Sequence, residues 1–402
     1  MKQIIKSILD TDLYKLTMQQ AVVQHFPRLK VRYKFIDRNK TVFPDGFDYV
    51  LSKQVKKMEG LFLTKDEKTF LTEECGKYLT PTYIDFLEGY KYDSSELDIK
   101  LDDENHLIIN IEGYWYKTIM WEVSLMSLIS ELYFKETNQK VDLKCNESND
   151  LSKLNSMIEH NAYFSDFGTR RRYSYKNEDR IIKLFTSNPN DVFVGTSNVH
   201  FAHKYYSTGI KVVGTCAHEF IMVIAALYGY KMANKIAMNK WVQTYNGSLG
   251  HMLTDTYTTD SFLKSFDMLN SKLFDGCRHD SGDPFEFADK FVKHYNSLGI
   301  DPKSKTLIFS DGLDIELATK IKEYCVGKIK CSFGIGTNIT NNVLDTNSKN
   351  GSYIKPLNMV IKISEVLIDD NWVGAVKLSD NPIKHTGKLE DVELSKKILG
   401  IK

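Results

Sequence analysis

The sequence predicts an α/β protein: an irregular, TIM-like α/β barrel carrying the chemistry, joined to a smaller α/β module that is discontinuous along the chain. Three observations predict it. From about residue 160 the chain repeats one unit: a short apolar run, a loop dense in polar side chains, then a helical stretch. Before residue 135 helical and strand-like segments follow no regular alternation. After about residue 345 strand-like runs return, Leu357–Ile363 and Val373–Leu378, and these are expected to rejoin the N-terminal part. The expected units are therefore 1–135, completed by 345–402, and a barrel over 136–344 that carries the active site.

The elements follow from periodicity. Asp12–Phe26 reads as a helix stopped by Pro27. Val31–Ile36 sets Val31, Tyr33 and Phe35 against Arg32 and Lys34, the alternation of a half-buried strand. Residues 50–90 read as helical and amphipathic, Leu107–Glu112 as a strand. Thr118–Phe134 reads as an amphipathic helix, with Met120, Val123, Leu125, Leu128 and Leu132 among its apolar positions. The later apolar runs are Tyr163–Phe167, Val192–Gly195, Ile210–Gly214, Leu249–Leu253, Leu273–Cys277, Thr306–Phe309 and Lys330–Phe333. Their loops read GTRRR, TSN, TCAH, TDTYTTD, RHDSGDP, SDGLD and GIGTN. Seven or eight βα units with chemistry after every strand suggest a closed or nearly closed barrel, its site at the C-terminal strand ends. An open doubly wound sheet is the alternative, but it would gather the chemistry at one switch point.

Composition narrows the function. Of 402 residues, 42% are apolar and 26% charged, ordinary for a soluble globular protein. Lys and Arg number 53 against 52 Asp and Glu, a net charge of +1, so no basic excess favours nucleic acid or an anionic membrane. The longest apolar run, Phe220–Tyr228, has 9 residues and reads as a buried helix, far short of the roughly 20 a membrane helix needs. Lys6, Asp10 and Asp12 break the N-terminal apolar stretch, unlike a signal peptide. Six cysteines, at 75, 145, 216, 277, 325 and 331, form no CxxC pair, so neither zinc nor a disulfide framework is expected. A reducing cytoplasm fits this usage.

Only 8 of the basic residues are arginine and 45 are lysine. Such a skew makes each arginine informative, because the planar fork is irreplaceable only in bidentate or stacked work. Arg170, Arg171 and Arg172 are adjacent, directly after Phe167, Gly168 and Thr169. Gly168 would let backbone approach a ligand and Arg170 would sit at the mouth, while Arg171 and Arg172 would pair on a helix surface. Arg278 stands in RHDSGDP, where Asp283 or Ser281 would cap a helix starting at Pro284. That leaves Arg278 and Asp280 to face a ligand. His218, between a strand and a helix beginning near Glu219, is as much a polar residue at a helix start as a base or nucleophile at a barrel mouth. A helix N-terminus disfavours imidazolium and favours phosphate, which suits a neutral His that receives a phosphoryl group. The late SDGLD and GIGTN loops, with Asp311, Gly334, Gly336 and Thr337, have the glycine and hydroxyl content of a phosphate cradle.

Together these motifs resemble the nicotinate phosphoribosyltransferase family in its bacterial form. They comprise DTDLYKLTMQQAV at 10–22, SDFGTRRR at 165–172, GTSNV at 195–199, GTCAHEFIM at 214–222, RHDSGDP at 278–284, SDGLD at 310–314, FGIGTN at 333–338 and PLNMVIKISE at 356–365. The resemblance implies the barrel of the type II phosphoribosyltransferases. It implies a ligase-type step of NAD biosynthesis: nicotinate, phosphoribosyl pyrophosphate and ATP give nicotinate mononucleotide, pyrophosphate, ADP and phosphate through a phosphohistidine at His218. Mg²⁺ would accompany the phosphorylated substrates, with no protein ligand assigned to it. Phe167 and Tyr14 would stack on the pyridine ring, Tyr14 from a second subunit of a homodimer with shared sites. Arg278 would fork onto the nicotinate carboxylate. Thr169, Arg170 and Asp280 would meet the phosphoribosyl donor, and Asp311, Gly334, Gly336 and Thr337 its 5′-phosphate. Nicotinamide phosphoribosyltransferases are the close rival. That branch looks like GTD where this chain has Gly195-Thr196-Ser197, and a serine can donate to a carboxylate where an aspartate would repel it. A sugar-phosphate isomerase or aldolase on the same barrel is the distant rival; the seven loops hold no lysine for a Schiff base.

Overall fold

The computed structural model describes residues 2–139, 141–143, 146–346 and 352–401. Two sheets organise it. The first is antiparallel, built from β1 (Lys30–Asp37), β2 (Leu97–Leu101), β3 (Leu107–Tyr114), β11 (Met359–Ile368) and β12 (Asn371–Gly374), in the order β12-β11-β1-β3-β2. The late strands do rejoin the early ones: β11 pairs along β1, with Val31 opposite Val366 and Phe35 opposite Ile361. The alternation read in β1 is the reason. Val31 and Tyr33 face the core and Arg32 and Lys34 do not, so one face packs and the other is wet.

The second sheet is parallel. Its strands are β4 (Phe164–Asp166), β5 (Phe193–Thr196), β6 (Lys211–Val212), β7 (His251–Leu253), β8 (Gly276–His279), β9 (Thr306–Phe309) and β10 (Lys330–Ile335), in the order β6-β5-β4-β10-β9-β8-β7. Each of the seven apolar runs overlaps a strand, although Leu273 ends a helix and β8 begins only at Gly276, and the sheet curls with β6 and β7 as its edges. Helix α1 (Leu13–His25) begins where the chain crosses the end of β5: Leu13 N–H donates to Ser197 O at 2.7 Å and Val199 N–H to Thr11 O at 2.9 Å. That crossing lays the DTDLY segment against GTSNV.

One expectation needs correction. The helix read over Thr118–Phe134 is α2 (Trp121–Glu136), and it is buried on almost every face rather than amphipathic. It lies between the two sheets, so its polar residues find internal partners: Ser124 donates to Asp10 O, Ser130 to Arg172 O, and Glu131 accepts from Tyr175 N–H. Strand β2 was not foreseen; its LDIKL run is short and half exposed. Cys145 lies outside the described residues, and the other five cysteines are buried and free. Among the described residues no helix is long and apolar enough to cross a membrane.

Candidate active site

A cavity of about 330 Å³ opens where the parallel strands end and β11 crosses above them. Phe167 and Gly168 follow β4, Ser197 follows β5, Asp280 follows β8, Ser310 follows β9 and Gly336 follows β10. Chemistry gathered after successive parallel strands is the barrel arrangement rather than a single switch point. Seven cationic side chains line it against five carboxylates, although the whole chain carries only +1. Four of the eight arginines, Arg38, Arg170, Arg171 and Arg278, are among the seven. The pocket therefore suits polyanions.

His218 is the first residue of α3 (His218–Tyr228) and is mostly buried. Its Nδ1 lies 3.0 Å from Thr256 Oγ1. Its Nε2 lies 2.9 Å from both Asp280 Oδ2 and Lys377 Nζ. Asp255 Oδ2 pairs with Lys377 at 3.2 Å. Burial, and then the Lys377 ammonium, push the imidazole down to about 4, so it is neutral at physiological pH. Asp280 is held well below the usual carboxylate range: burial opposes ionisation, but the His218 hydrogen bond and the Arg278 charge outweigh it. In the tautomer that carries its proton on Nδ1, donated to Thr256 Oγ1, the neutral ring presents the Nε2 lone pair to the cavity as a nucleophile; the tautomer that donates Nε2–H to Asp280 does not.

Arg278 is the other unusual group. It lines the cavity, its Nη1 reaches only Cys216 O at 3.4 Å, and its buried Nε has no partner. It forms no ion pair among the described residues. A part-buried guanidinium with a buried, unpaired Nε and no carboxylate in ion-pair contact is costly unless something anionic completes it.

Comparison with known proteins settles the family. The family model described as Nicotinate phosphoribosyltransferase (NAPRTase) family matches residues 162–401, and that of its N-terminal domain matches residues 9–130. The nicotinate phosphoribosyltransferase of Chromohalobacter salexigens is 45% identical over 402 residues, covering 99% of each chain. The chain belongs to the nicotinate phosphoribosyltransferase family. A nicotinate phosphoribosyltransferase of Methanosarcina acetivorans is 41% identical, again over 99% of each chain. The crystal structure of the Porphyromonas gingivalis nicotinate phosphoribosyltransferase superposes with a TM-score of 0.94 at 44% identity, covering 99% of this chain and all of that one.

Most of the residues that the motifs singled out meet in the cavity of this family member: Tyr14, Phe167, Arg170, Ser197, His218, Arg278, Asp280, Asp311, Gly336 and Thr337. Tyr14 lines the cavity of its own chain. Thr169 and Gly334 do not line it. Thr169 is fully buried and donates to Glu178 Oε1 at 2.8 Å. Gly334 is the floor under Phe167; a Cβ there would fall 2.3 Å from that ring. Gly168 lines the cavity, and a Cβ there would also strike the Thr340 side chain. Asp283 caps the helix Pro284–Ser297, as read.

The arginine triplet divides three ways. Arg170 reaches the cavity mouth. Arg171 is not a surface pair: it lines the cavity and donates to Met359 O at 3.0 Å. Arg172 is wholly buried, forking onto Asp10 at 2.7 and 2.8 Å and meeting Glu178 at 3.1 Å. A 3₁₀ turn over Thr169–Arg171 aims successive side chains about 120° apart, so adjacency in sequence did not mean a shared face.

The lysines were missed. Lys362, on β11, and Lys377 and Lys384, beyond it, all enter the cavity. Lys384 pairs with the Asp311 carboxylate. Burial, then Lys377 and Arg38, push Lys362 down to about 7. The absence of lysine from the seven loops was therefore no spatial argument against a Schiff base. Family membership excludes the aldolase and isomerase readings instead.

Proposed function

We propose that this chain joins nicotinate to phosphoribosyl pyrophosphate, with ATP hydrolysis coupled through His218. The observation that carries the reading is the unpaired Arg278 guanidinium in a cationic cavity. The nicotinate carboxylate would complete its fork. Phe167 and Tyr14 would hold the ring, with the ring nitrogen facing C1 of the ribose. That nitrogen attacks C1 as the C1–O bond breaks, and pyrophosphate leaves with the electron pair. Catalysis is positioning plus charge stabilisation, supplied by Arg170 and the lysines around the leaving group.

In the coupled step the Nε2 lone pair of His218 attacks the γ-phosphorus of ATP, the β–γ bridging bond breaks, and ADP leaves with that pair. Lys377 would neutralise the phosphoryl group, and Thr256 would hold Nδ1. Water then cleaves the phosphohistidine. The phosphoryl dianion changes the charge of the cavity, so the two enzyme states bind substrates differently. Asp255 Oδ1 is buried without a hydrogen-bond partner, and it lies with Asp280 and His218 in a cluster whose ligand atoms fall within 4.8 Å. Those oxygens fit Mg²⁺, and Asp280 and Asp255 would hold it. Bound there, the ion would neutralise phosphate charge.

Arg278→Lys tests the clamp. It keeps the charge and loses the fork. Nicotinate saturation should shift upward by about tenfold, from one lost charge-assisted bond, while labelling of His218 by ATP is retained. Arg32→Lys, on the outer face of β1, is the control and should leave saturation unchanged. Equal behaviour of the two variants would remove the clamp assignment.

A further inference from the structure

Lys15 directly follows Tyr14 on α1, within the DTDLYKLTMQQAV motif. Its side chain is fully buried, with Nζ 2.5 Å from Glu122 Oε2 and 2.7 Å from Glu219 Oε2. The two carboxylates are held differently. Glu219 is fixed on its other oxygen by the Tyr33 hydroxyl at 3.2 Å and the Trp115 indole N–H at 3.4 Å. Glu122 Oε1 has one polar partner among the described residues, Arg170 Nη1 at 3.4 Å. Arg170 makes no other ion pair there, and 44% of its side chain is exposed. Both Glu122 and Arg170 line the cavity.

The Glu122–Arg170 contact is long. Charge-assisted N–H···O bonds ordinarily close to about 2.7–2.9 Å, and Arg–carboxylate pairs are often bidentate. Here Lys15 takes the closer half of Glu122. The cluster holds two cations and two anions, so it is neutral without a tight Glu122–Arg170 pair.

We propose that Lys15 is a positioning residue that holds Glu122 back, leaving the Arg170 guanidinium available to the pyrophosphate group of the substrate. The inference rests on the reading of Arg170 as an anion contact. Without the Lys15 ammonium, the Glu122 carboxylate is the nearest uncompensated anion to Arg170 and closes on it. An incoming pyrophosphate then has to break that pair before it binds. Lys15 touches no substrate; it acts through Glu122.

The test is calorimetric titration of inorganic pyrophosphate into the full chain, with a thermal melt of each variant alongside. Lys15→Met should weaken binding by about tenfold or more, the size of one lost charge-assisted contact. Adding Glu122→Gln to Lys15→Met removes the competitor and should restore affinity to within about threefold of wild type. A merely structural lysine predicts no such rescue, because the double variant still lacks the ammonium and leaves Glu219 without it. If Lys15→Met does not fold, Glu122→Gln alone decides: it should bind pyrophosphate at least as tightly as wild type, and weaker binding overturns the proposal. Arg170→Lys separates the two readings. If it binds like wild type, Arg170 is no anion contact and the underlying assignment falls. If it binds weakly while Lys15→Met does not, only the role of Lys15 falls.

Discussion

His218→Asn should abolish ATP-driven phosphorylation of the protein while leaving its melting temperature close to that of wild type. Incubation with ATP labelled at the γ-phosphate should give wild type an acid-labile phosphate and the variant none. The effect is all-or-none because the neutral Nε2 is the nucleophile, and asparagine has only an amide, whose nitrogen lone pair is delocalised. The fold should tolerate the change: the ring sits at a helix start and is part of the cavity wall, not the hydrophobic core. The pH dependence carries the signature of the site. An ordinary imidazole loses its nucleophilic form below a pKa of about 6.5. Burial and Lys377 hold His218 down at about 4, so its neutral form persists through pH 6. Label surviving in His218→Asn would place the phosphoryl acceptor elsewhere.

Ser197→Asp should cut nicotinate use by about tenfold to a hundredfold, the cost of roughly 1.5–3 kcal/mol for a charge-assisted contact turned unfavourable. The structure sharpens the reason. Ser197 Oγ donates to Asp12 Oδ1 at 2.7 Å, so in this structure the hydroxyl proton is directed at Asp12. What position 197 supplies without question is the absence of charge beside Asp12. Asp12 is itself buried, and that burial raises its pKa against the opposing pull of Arg170. A second carboxylate at 197 would have to share a proton with it or repel it, and either arrangement meets an anionic substrate badly. Nicotinamide carries no charge and should suffer less, so the acid-to-amide preference should fall. Nicotinate saturation unchanged from wild type would show that position 197 does not face the ring's carboxylate.

The parallel strands were legible because each is a short apolar run closed by a polar loop; Thr306–Phe309 coincides with β9 to the residue. The motifs marked the strand ends, and the strand ends are where the cavity lies. The remainder depended on tertiary placement. In a chain with 45 lysines, Lys15, Lys362, Lys377 and Lys384 have no contrast against their background, and only β11 lying beside β1 carries the later ones over the barrel mouth. Glu122 sits in a helix whose pattern suggested a wet face, yet that face is buried between the sheets. Asp255 was within a loop singled out for chemistry, but its partners His218 and Lys377 lie 37 and 122 residues away in sequence. Arginine scarcity was the better guide, since half of the arginines line the cavity.

The central claim is tested most directly by a product assay: nicotinate or nicotinamide with phosphoribosyl pyrophosphate and Mg²⁺, with and without ATP, resolving nucleotide, pyrophosphate, ADP and phosphate. The expected result is nicotinate mononucleotide and pyrophosphate from the acid, with ADP and phosphate released alongside when ATP is present, and nicotinamide used far less. Preferential formation of nicotinamide mononucleotide, or ATP cleavage that persists undiminished in His218→Asn, would contradict the account.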